Sequence, residues 1–120
     1  MKFTLSMPPG INKTYGVTRK GKIPFYKKPV VREWENEAGW EVKRQWKGRK
    51  IAMTGELSVE VIFFYKYNRD IDGGLKVLLD LFQRSGVYAN DQQIIELIVH
   101  KKQDLLKPRV EVQIDEYEMV

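Results

Sequence analysis

The sequence predicts an α+β fold: a small mixed sheet of about four strands with two helices packed against it, in the order β-α-β-α-β-β. Apolar residues alternate with period two in several short segments, as in strands with one buried face. In two longer segments they recur at helical spacing. No repeat, low-complexity tract or linker divides the chain, so residues 1–120 are expected to form a single domain.

The first predicted strand covers residues 2–7 and ends at the Pro8-Pro9-Gly10 turn. Proline has no N–H to give to a sheet, and glycine permits a sharp change of direction. Residues 10–29 are expected to form an irregular basic segment, in which residues 23–26 are a candidate for one brief strand.

The first helix is predicted at residues 31–47, with an apolar stripe of Val31, Trp34, Ala38, Val42 and Trp46. Trp34 and Trp46 share this stripe and are therefore expected in the core rather than stacked on nucleic-acid bases. Trp40 lies off the stripe and is either an exposed aromatic or a second contact surface. A dimer contact is a reasonable use for it, because large aromatics are enriched at interfaces.

The second strand is predicted at residues 56–66, where apolar side chains alternate. Ile62 and Phe64 point to the other side and are also apolar, so part of this strand is expected to be covered on both faces. A second helix follows at residues 73–85, and Gly86 is its expected stop signal.

The last two strands are predicted at residues 93–102 and 108–115. The stretch between them is short, so they are expected to pair as an antiparallel hairpin. His100, Lys101 and Lys102 finish the first of these strands. They are interpreted as a polar edge that discourages aggregation, and contact with DNA is the alternative.

Composition excludes several classes of site. No apolar run approaches the roughly 20 residues that span a bilayer, and the N-terminus lacks the layout of a signal peptide. The absence of cysteine excludes disulfides and thiolate metal sites and suits a cytoplasmic location, which is the expected one. His100 is the only histidine, which argues against a histidine-rich zinc site.

Charge is divided unevenly along the chain. Residues 1–50 carry 13 Lys and Arg against 4 Glu, a net +9, and residues 51–120 carry 8 against 12 acidic residues, a net −4. A basic half suits a polyanionic partner, because each neutralised phosphate releases condensed counterions. A merely solvated surface is the alternative, since basic composition is also common among proteins that bind no nucleic acid.

Two aspartates stand between the second strand and the second helix, in the segment Arg69-Asp70-Ile71-Asp72-Gly73-Gly74-Leu75-Lys76. If residues 70–72 are extended, Asp70 and Asp72 project to the same side, and a cation between them would relieve their repulsion. Mg²⁺ prefers such oxygen ligands. The glycines permit a close approach of the backbone to a ligand, and the helix N-terminus favours an anion. Lys76 lies one helical turn after Asp72 and can face the same point.

These aspartates also have ordinary structural interpretations. Asp72 is a favoured N-cap residue for the second helix, which would leave Asp70 as a loop-edge carboxylate. Asp91 adds a third carboxylate: a helix with a short return brings the chain back beside the strand it left, so Asp91 is expected near Asp70 and Asp72. Asn90 and Asp91 also suit a simple turn.

The D-x-D pair after a strand, the lysine four residues later and the aspartate further along together resemble the RusA family of Holliday junction resolvases. The segment Met7-Pro8-Pro9-Gly10-Ile11-Asn12-Lys13-Thr14-Tyr15 is similar to that family's Pro-Pro turn followed by an Asn and a Tyr. The resemblance covers essentially the whole chain. The sequence departs from the family at Gly73, where Asn is common, and at Asn90, which replaces the first of two paired aspartates.

The resemblance implies an Mg²⁺-dependent endonuclease that cleaves four-way (Holliday) DNA junctions by phosphodiester hydrolysis, in DNA recombination and repair. It implies catalytic roles for Asp70, Asp72, Asp91 and Lys76, with the three aspartates holding one or two Mg²⁺ ions per subunit. It also implies a homodimer, whose two sites suit paired cuts across a junction. The alternatives are a non-catalytic DNA-binding module on the same scaffold and a nuclease for other branched DNA, such as flaps.

DNA contacts are expected from the basic first half of the chain and from the strand end beside the D-x-D pair. The candidates are Asn12, Lys13, Tyr15, Lys27, Lys28, Lys66 and Arg69. Lys66 and Arg69 flank the carboxylates and suit phosphate binding, or they are merely a solvated strand end. The aromatics of the basic segment can grip DNA or anchor that segment to the core.

Overall fold

Two helices and six strands make up the regular structure of the part of the chain that the structure describes. A computed structural model describes residues 1–9, 15–16, 26–27, 29–46 and 51–118, with the backbone alone at 15–16 and 26–27. The helices are α1, Pro29–Gln45, and α2, Leu75–Arg84. The strands are β1, Lys2–Leu5; β2, Tyr15–Gly16; β3, Tyr26–Lys27; β4, Leu57–Tyr65; β5, Ile94–Gln103; and β6, Arg109–Glu116. A single 3-10 turn, Asp91–Gln93, precedes β5.

β4 lies in the interior of a four-stranded mixed sheet with the strand order β1-β6-β4-β5. It runs parallel to β5 and antiparallel to β6, and β6 runs antiparallel to β1. β2 and β3 form a separate two-stranded pair, in which Tyr15 stands opposite Lys27. The predicted α+β class, with two helices and a mixed sheet of four main strands, is confirmed.

The predicted hairpin between the last two strands is wrong, because β4 lies between β5 and β6. The crossover through α2 makes β5 the parallel neighbour of β4, and the other edge of β4 remains free for β6. The connection at residues 104–108 therefore crosses the end of β4, where the N–H of Asp104 donates to the carbonyl of Tyr65 at 2.8 Å. A short connection shows only that two strand ends are near each other, not that the strands pair.

The core lies between one face of the sheet and the two helices. Phe3 joins the layers: its ring centroid lies 4.9 Å from that of Phe82 on α2 and 6.0 Å from that of Trp46, just beyond α1. Trp34 and Trp46 are buried, which confirms their predicted place. The sheet contributes Phe3, Leu5, Leu57, Val59, Val61, Phe63, Val110, Val112 and Ile114, and the helices contribute Val31, Ala38, Val42, Val77, Leu78, Leu81 and Phe82.

The other face of the sheet carries charged side chains rather than helices. Ile62 and Phe64 are half-buried there, and the guanidinium of Arg109 lies 3.9 Å from the centre of the Phe64 ring. Glu111 pairs with Arg109 at 3.4 Å and with Lys2 at 2.8 Å. The expected cover on the second face of β4 is thus partial, and for Phe64 it comes from the stacked arginine.

The end of α2 and the exposed side of α1 agree with the predictions from the sequence. Gly86 follows α2 with φ 82°, and its N–H donates to the carbonyl of Gln83 at 3.1 Å, so the predicted stop is confirmed. Trp40 is 67% exposed, with the ammonium of Lys43 lying 5.1 Å from its ring centre. In the part of the chain that the structure describes, no helix is long and apolar enough to cross a membrane.

Replacing Phe3 with Ala tests the core. Phe3 is completely buried, so Phe3→Ala should lower the free energy of unfolding by about 3 to 5 kcal/mol through lost transfer energy and an unfilled cavity. Urea denaturation measures this. The control Ile51→Ala removes a side chain that is 81% exposed and should change stability by less than about 0.5 kcal/mol. Equal effects of the two substitutions would contradict the assigned core.

Candidate active site

The D-x-D pair occupies the loop that leads from β4 to α2, which we call the carboxylate loop (residues 68–74). Asp70, Ile71 and Asp72 are exposed. The loop is a tight turn rather than an extension of the strand: the N–H of Gly73 donates to the carbonyl of Asp70 at 3.0 Å, and the N–H of Leu75 to that of Asp72 at 3.2 Å. The condition under which Asp70 and Asp72 would project to the same side, an extended backbone at residues 70–72, is therefore not met, and period-two alternation does not describe the two carboxylates.

Arg69 holds this loop in place from inside. Its Nη1 donates to the carbonyl of Pro8 at 2.6 Å and its Nη2 to the carbonyl of Gly73 at 2.7 Å. The guanidinium lies 5.7 Å from the centre of the Phe63 ring, and burial lowers its pKa. Its two terminal nitrogens are bonded to backbone carbonyls, and its predicted contact with DNA stays a prediction. The structure thus assigns it a positioning role, joining the carboxylate loop to the Pro-Pro turn.

Gly74 lets the loop and the Pro-Pro turn approach each other closely. Its φ is 84°, and a Cβ placed there would lie 2.8 Å from the carbonyl oxygen of Pro9 and 3.0 Å from Cγ of Pro8. Only glycine fits this position, because both the left-handed backbone and the contact exclude a side chain. The two segments that resemble the RusA family, far apart in the sequence, are therefore in contact.

Asp72 does not cap α2. The N-cap position belongs to Gly74, and no side chain accepts a hydrogen bond from the first turn. Within the described residues, no hydrogen bond or ion pair occupies the carboxylates of Asp70 or Asp72. The capping interpretation of Asp72 is wrong, and both carboxylates are available for a ligand from solvent. Lys76 is exposed on the first turn of α2.

Lys101 brings a cation to the carboxylate loop from β5. Its Nζ donates to Oδ1 of Asn68 at 2.9 Å and to the carbonyl of Arg69 at 2.8 Å. Lys101 was interpreted from the sequence as part of a polar strand edge. Its contact with the loop has no local sequence signal, because it depends on the parallel pairing of β4 with β5. Lys66 is exposed at the end of β4, and its Nζ lies 5.5 Å from the centre of the Tyr67 ring.

Asp91 lies at the opposite end of the sheet from the carboxylate loop. β4 and β5 are parallel and begin together, with Leu57 opposite Ile94. Asp91 therefore stands beside the start of β4, whereas Asp70 follows its end. The intervening α2, Leu75–Arg84, spans about 15 Å. The expectation that Asp91 lies near Asp70 and Asp72 in one chain is wrong, because a parallel crossover returns to the beginning of the strand it left.

The surroundings of Asp91 confirm this placement. Its N–H donates a hydrogen bond to Oε1 of Gln83, at the end of α2, at 3.0 Å. Asn90 begins the 3-10 turn and accepts a hydrogen bond from the N–H of Gln92 at 2.8 Å. Burial, followed by the charge of Asp91, raises the pKa of Tyr88. Among the described residues, no group of three or more His, Cys, Asp or Glu side chains is close enough to hold a metal ion.

The remaining DNA-binding candidates lie in the basic segment. Asn12, Lys13 and Lys28 fall outside the described residues, and Tyr15 and Lys27 belong to the β2–β3 pair, where the structure describes the backbone alone. Their roles stay predictions.

The fold and site together define a small α+β protein with two exposed aspartates at one end of its sheet. The model of one protein family, Endodeoxyribonuclease RusA, matches residues 7–115. A crossover junction endodeoxyribonuclease RusA from Aquifex aeolicus (strain VF5) is 38% identical over 82 residues, which cover 68% of this chain and 64% of that relative. The match thus spans a little under two thirds of the relative's length. The chain belongs to the RusA endodeoxyribonuclease family.

The close contact at Gly74 can be tested by comparison with Gly86, a glycine that makes no such contact. Gly74→Ala and Gly86→Ala both force a side chain into a left-handed backbone, at about 1 to 2 kcal/mol each. Gly86 has nothing within 4 Å of the added Cβ, so Gly74→Ala should cost about 1 to 3 kcal/mol more, through overpacking against Pro8 and Pro9. Urea denaturation of the two variants measures the difference, and equal costs would show that the Pro-Pro turn yields freely.

Proposed function

We propose that this protein is an Mg²⁺-dependent endonuclease that cleaves four-way (Holliday) DNA junctions, in DNA recombination and repair. Its membership of the RusA family supports the reaction and the substrate. The observation that carries the proposal is the carboxylate loop. Asp70 and Asp72 are exposed and have no partner among the described residues, on a turn that Arg69 holds fixed.

The side chains of the carboxylate loop fit a hard cation. Mg²⁺ commonly takes one or two carboxylates from a protein and keeps its other positions for water and phosphate, and Asp70 and Asp72 offer such a pair. Bound there, one or two Mg²⁺ ions would supply the charge that activates a water and stabilises the leaving oxygen. Lys76 is placed on the following helical turn to hold a phosphate or the water, and Lys101 keeps the loop backbone in position from β5.

The third carboxylate requires a second subunit. Among the described residues, β5 is an edge strand of the sheet and is ten residues long. Its partly exposed apolar side chains include Ile95, Leu97 and Ile98. Such an edge presents unpaired backbone groups that suit another strand. A second copy of β5, pairing antiparallel about a two-fold axis, would also place the acidic Glu96 of each strand toward Lys102 of the other.

This pairing completes the site. The start of the second subunit's β5 would lie beside the end of the first, next to the carboxylate loop, and Asp91 of the second subunit would join Asp70 and Asp72. The proposed homodimer therefore has two composite sites, as paired cuts require. Trp40 remains exposed, but α1 contacts β1 at the far edge of the sheet, so β5 replaces Trp40 as the proposed dimer contact.

Mixing inactive variants tests the carboxylates and the composite site together. Asp70→Asn, Asp72→Asn and Asp91→Asn should each lower junction cleavage about a hundredfold or more, since each removes charge that supports the transition state. Mixed Asp70→Asn and Asp91→Asn subunits should recover cleavage, because the heterodimer has one site with all three aspartates. Cleavage of labelled four-way junctions in Mg²⁺ measures this, with flap and linear duplex DNA alongside.

The matched control is a mixture of Asp70→Asn with Asp72→Asn, which should stay inactive because both sites of that heterodimer lack a carboxylate. No recovery in either mixture, although light scattering finds dimers that exchange subunits, would contradict the composite site. Variants that cleave as well as the parent would refute the catalytic assignment and leave a DNA-binding module. If flaps are cleaved faster than junctions, flap DNA replaces the four-way junction as the proposed substrate.

DNA binding should depend on salt through the basic segment. Each phosphate contact contributes about −0.9 to the slope of log affinity against log salt on duplex DNA, so replacing both Lys27 and Lys28 with Ala should flatten that slope. Fluorescence anisotropy at several salt concentrations measures it. The control pair is Lys43→Ala with Arg44→Ala, in the last turn of α1. It removes the same amount of charge at the end of the sheet opposite the carboxylate loop and should leave the slope unchanged. If the parent and the Lys27/Lys28 double variant have identical salt slopes, the DNA does not contact these two lysines.

A further inference from the structure

Two adjacent leucines protrude from the connection between β5 and β6, which we call the leucine turn (residues 104–108). Leu105 is 61% exposed and Leu106 is 96% exposed, the highest fraction among the large apolar side chains that the structure describes. Single exposed apolar residues are ordinary on protein surfaces. A neighbouring pair at the tip of a protruding turn is a feature to explain, because the proposed catalytic chemistry does not use it.

The leucine turn is held rigidly from within. Oδ1 of Asp104 accepts hydrogen bonds from the N–H groups of Leu106 at 3.1 Å and Lys107 at 3.0 Å. Its Oδ2 pairs with Nη1 of Arg109 at 2.9 Å, and the same nitrogen donates to the carbonyl of Lys107 at 2.9 Å. These hydrogen bonds, led by that of the Lys107 N–H, lower the pKa of Asp104. The backbone that carries the leucines is thus ordered before anything binds, which reduces the entropy lost on binding.

The leucine turn lies at the same end of the sheet as the carboxylate loop. The N–H of Asp104 donates to the carbonyl of Tyr65 at 2.8 Å, and Nε2 of Gln103 lies 3.5 Å from the carbonyl of Lys66. The first contact joins the turn to Tyr65, the last residue of β4, and the second joins the end of β5 to Lys66, the residue after β4. The carboxylate loop begins two residues further on, at residue 68. A ligand that reaches Asp70 and Asp72 therefore passes close to the leucines.

Cations surround the apolar tip. Lys102 precedes the turn, Lys107 lies within it, and both are exposed, as is Lys66 on the neighbouring strand end. An apolar tip among lysines fits a partner that has anionic phosphates outside and an apolar interior. Stacked DNA bases between two phosphate backbones have this arrangement, and leucine is one of the side chains that proteins insert between base steps.

We propose that the leucine turn is a wedge that enters the base stack at the branch point of the junction, with Leu106 leading and Lys66 and Lys107 holding the flanking phosphates. The inference rests on the proposed function, since it assumes that branched DNA is the ligand. Stacking is already interrupted at a branch point, so inserting a side chain costs less there than within a linear duplex. The wedge would therefore favour branched DNA and help to place its strands at the carboxylate loop.

Fluorescence of a base analogue tests the wedge without cleavage. A four-way junction with 2-aminopurine at the branch point is titrated with protein in EDTA, where unstacking of the analogue raises its fluorescence. The parent protein should give this rise, and the double variant Leu105→Ser, Leu106→Ser should lose most of it. The variant's affinity for the junction should fall about tenfold, the value for one well-buried apolar side chain, while its affinity for linear duplex stays unchanged.

Two further variants separate the wedge from a general surface effect. Ile51→Ser changes an equally exposed apolar residue near the opposite end of the sheet and should keep the parental fluorescence rise. Asp104→Ala keeps the leucines but removes the hydrogen bonds that fix the turn, and should give an intermediate rise.

Several results would overturn the wedge. They are a parental fluorescence rise in the double leucine variant, equal losses of affinity for junction and duplex, or conversion of the variant to monomers in light scattering, which would assign the leucines to a subunit contact. A parent that binds junctions no better than duplex would overturn both the wedge and the proposed substrate. A parent that unstacks the junction in EDTA but cuts nothing in Mg²⁺ would support the wedge and refute only the proposed cleavage.

Discussion

The interior position of β4 constrains the rest of the structure. β5 pairs with one edge of β4 in parallel orientation, and β6 pairs with the other edge in antiparallel orientation. Each connection between these strands must therefore reach the correct end of β4. The parallel partner requires a crossover, which α2 supplies, and the antiparallel partner requires a connection across the end of β4, which the leucine turn supplies. The carboxylate loop and the leucine turn therefore meet at one end of the sheet because of hydrogen bonding along a single strand.

Arg69 fixes the geometry of the site at this end of the sheet. Burying a guanidinium is unfavourable unless its N–H groups find acceptors. Here the carbonyls of Pro8 and Gly73 accept from the two terminal nitrogens, whereas Nε is buried and has no partner among the described residues. Those two carbonyls belong to the Pro-Pro turn and to the carboxylate loop, so one side chain fixes their relative position. Because Arg69 points inward, the outward side of the loop is left to Asp70 and Asp72. Their carboxylates would otherwise be natural partners for the guanidinium.

The same topology divides the proposed catalytic residues. In a parallel β-α-β unit, the loop after the first strand and the loop before the second lie at opposite ends of the sheet, so Asp91 is separated from Asp70 and Asp72 by the length of α2. The proposed dimer through β5 resolves the separation with two-fold symmetry. It would also explain why an edge strand keeps exposed apolar residues, which a solvated edge normally avoids.

Local sequence patterns determined the strands, the helices and the residues of the candidate site. Alternation along β4, the apolar stripe of α1 and the stop at Gly86 depend on neighbours within a few residues, and the structure keeps all three. The D-x-D pair and the Pro-Pro turn were also recognisable, because each is a short segment. Lys101 gave no comparable signal, since its contact with Asn68 and Arg69 joins two strands that are distant in the sequence.

Only the tertiary structure decided the strand order, the inward direction of Arg69 and the distance of Asp91 from the other aspartates. Each depends on which edge of β4 is occupied and on the direction of the strand beside it. Periodicity reports which face of a strand is buried and says nothing about its neighbour, because the hydrogen bonds of the ladder come from the backbone and are the same for any residue except proline. The sequence by itself therefore determined what the site contains, and long-range pairing of the backbone decided where its members lie.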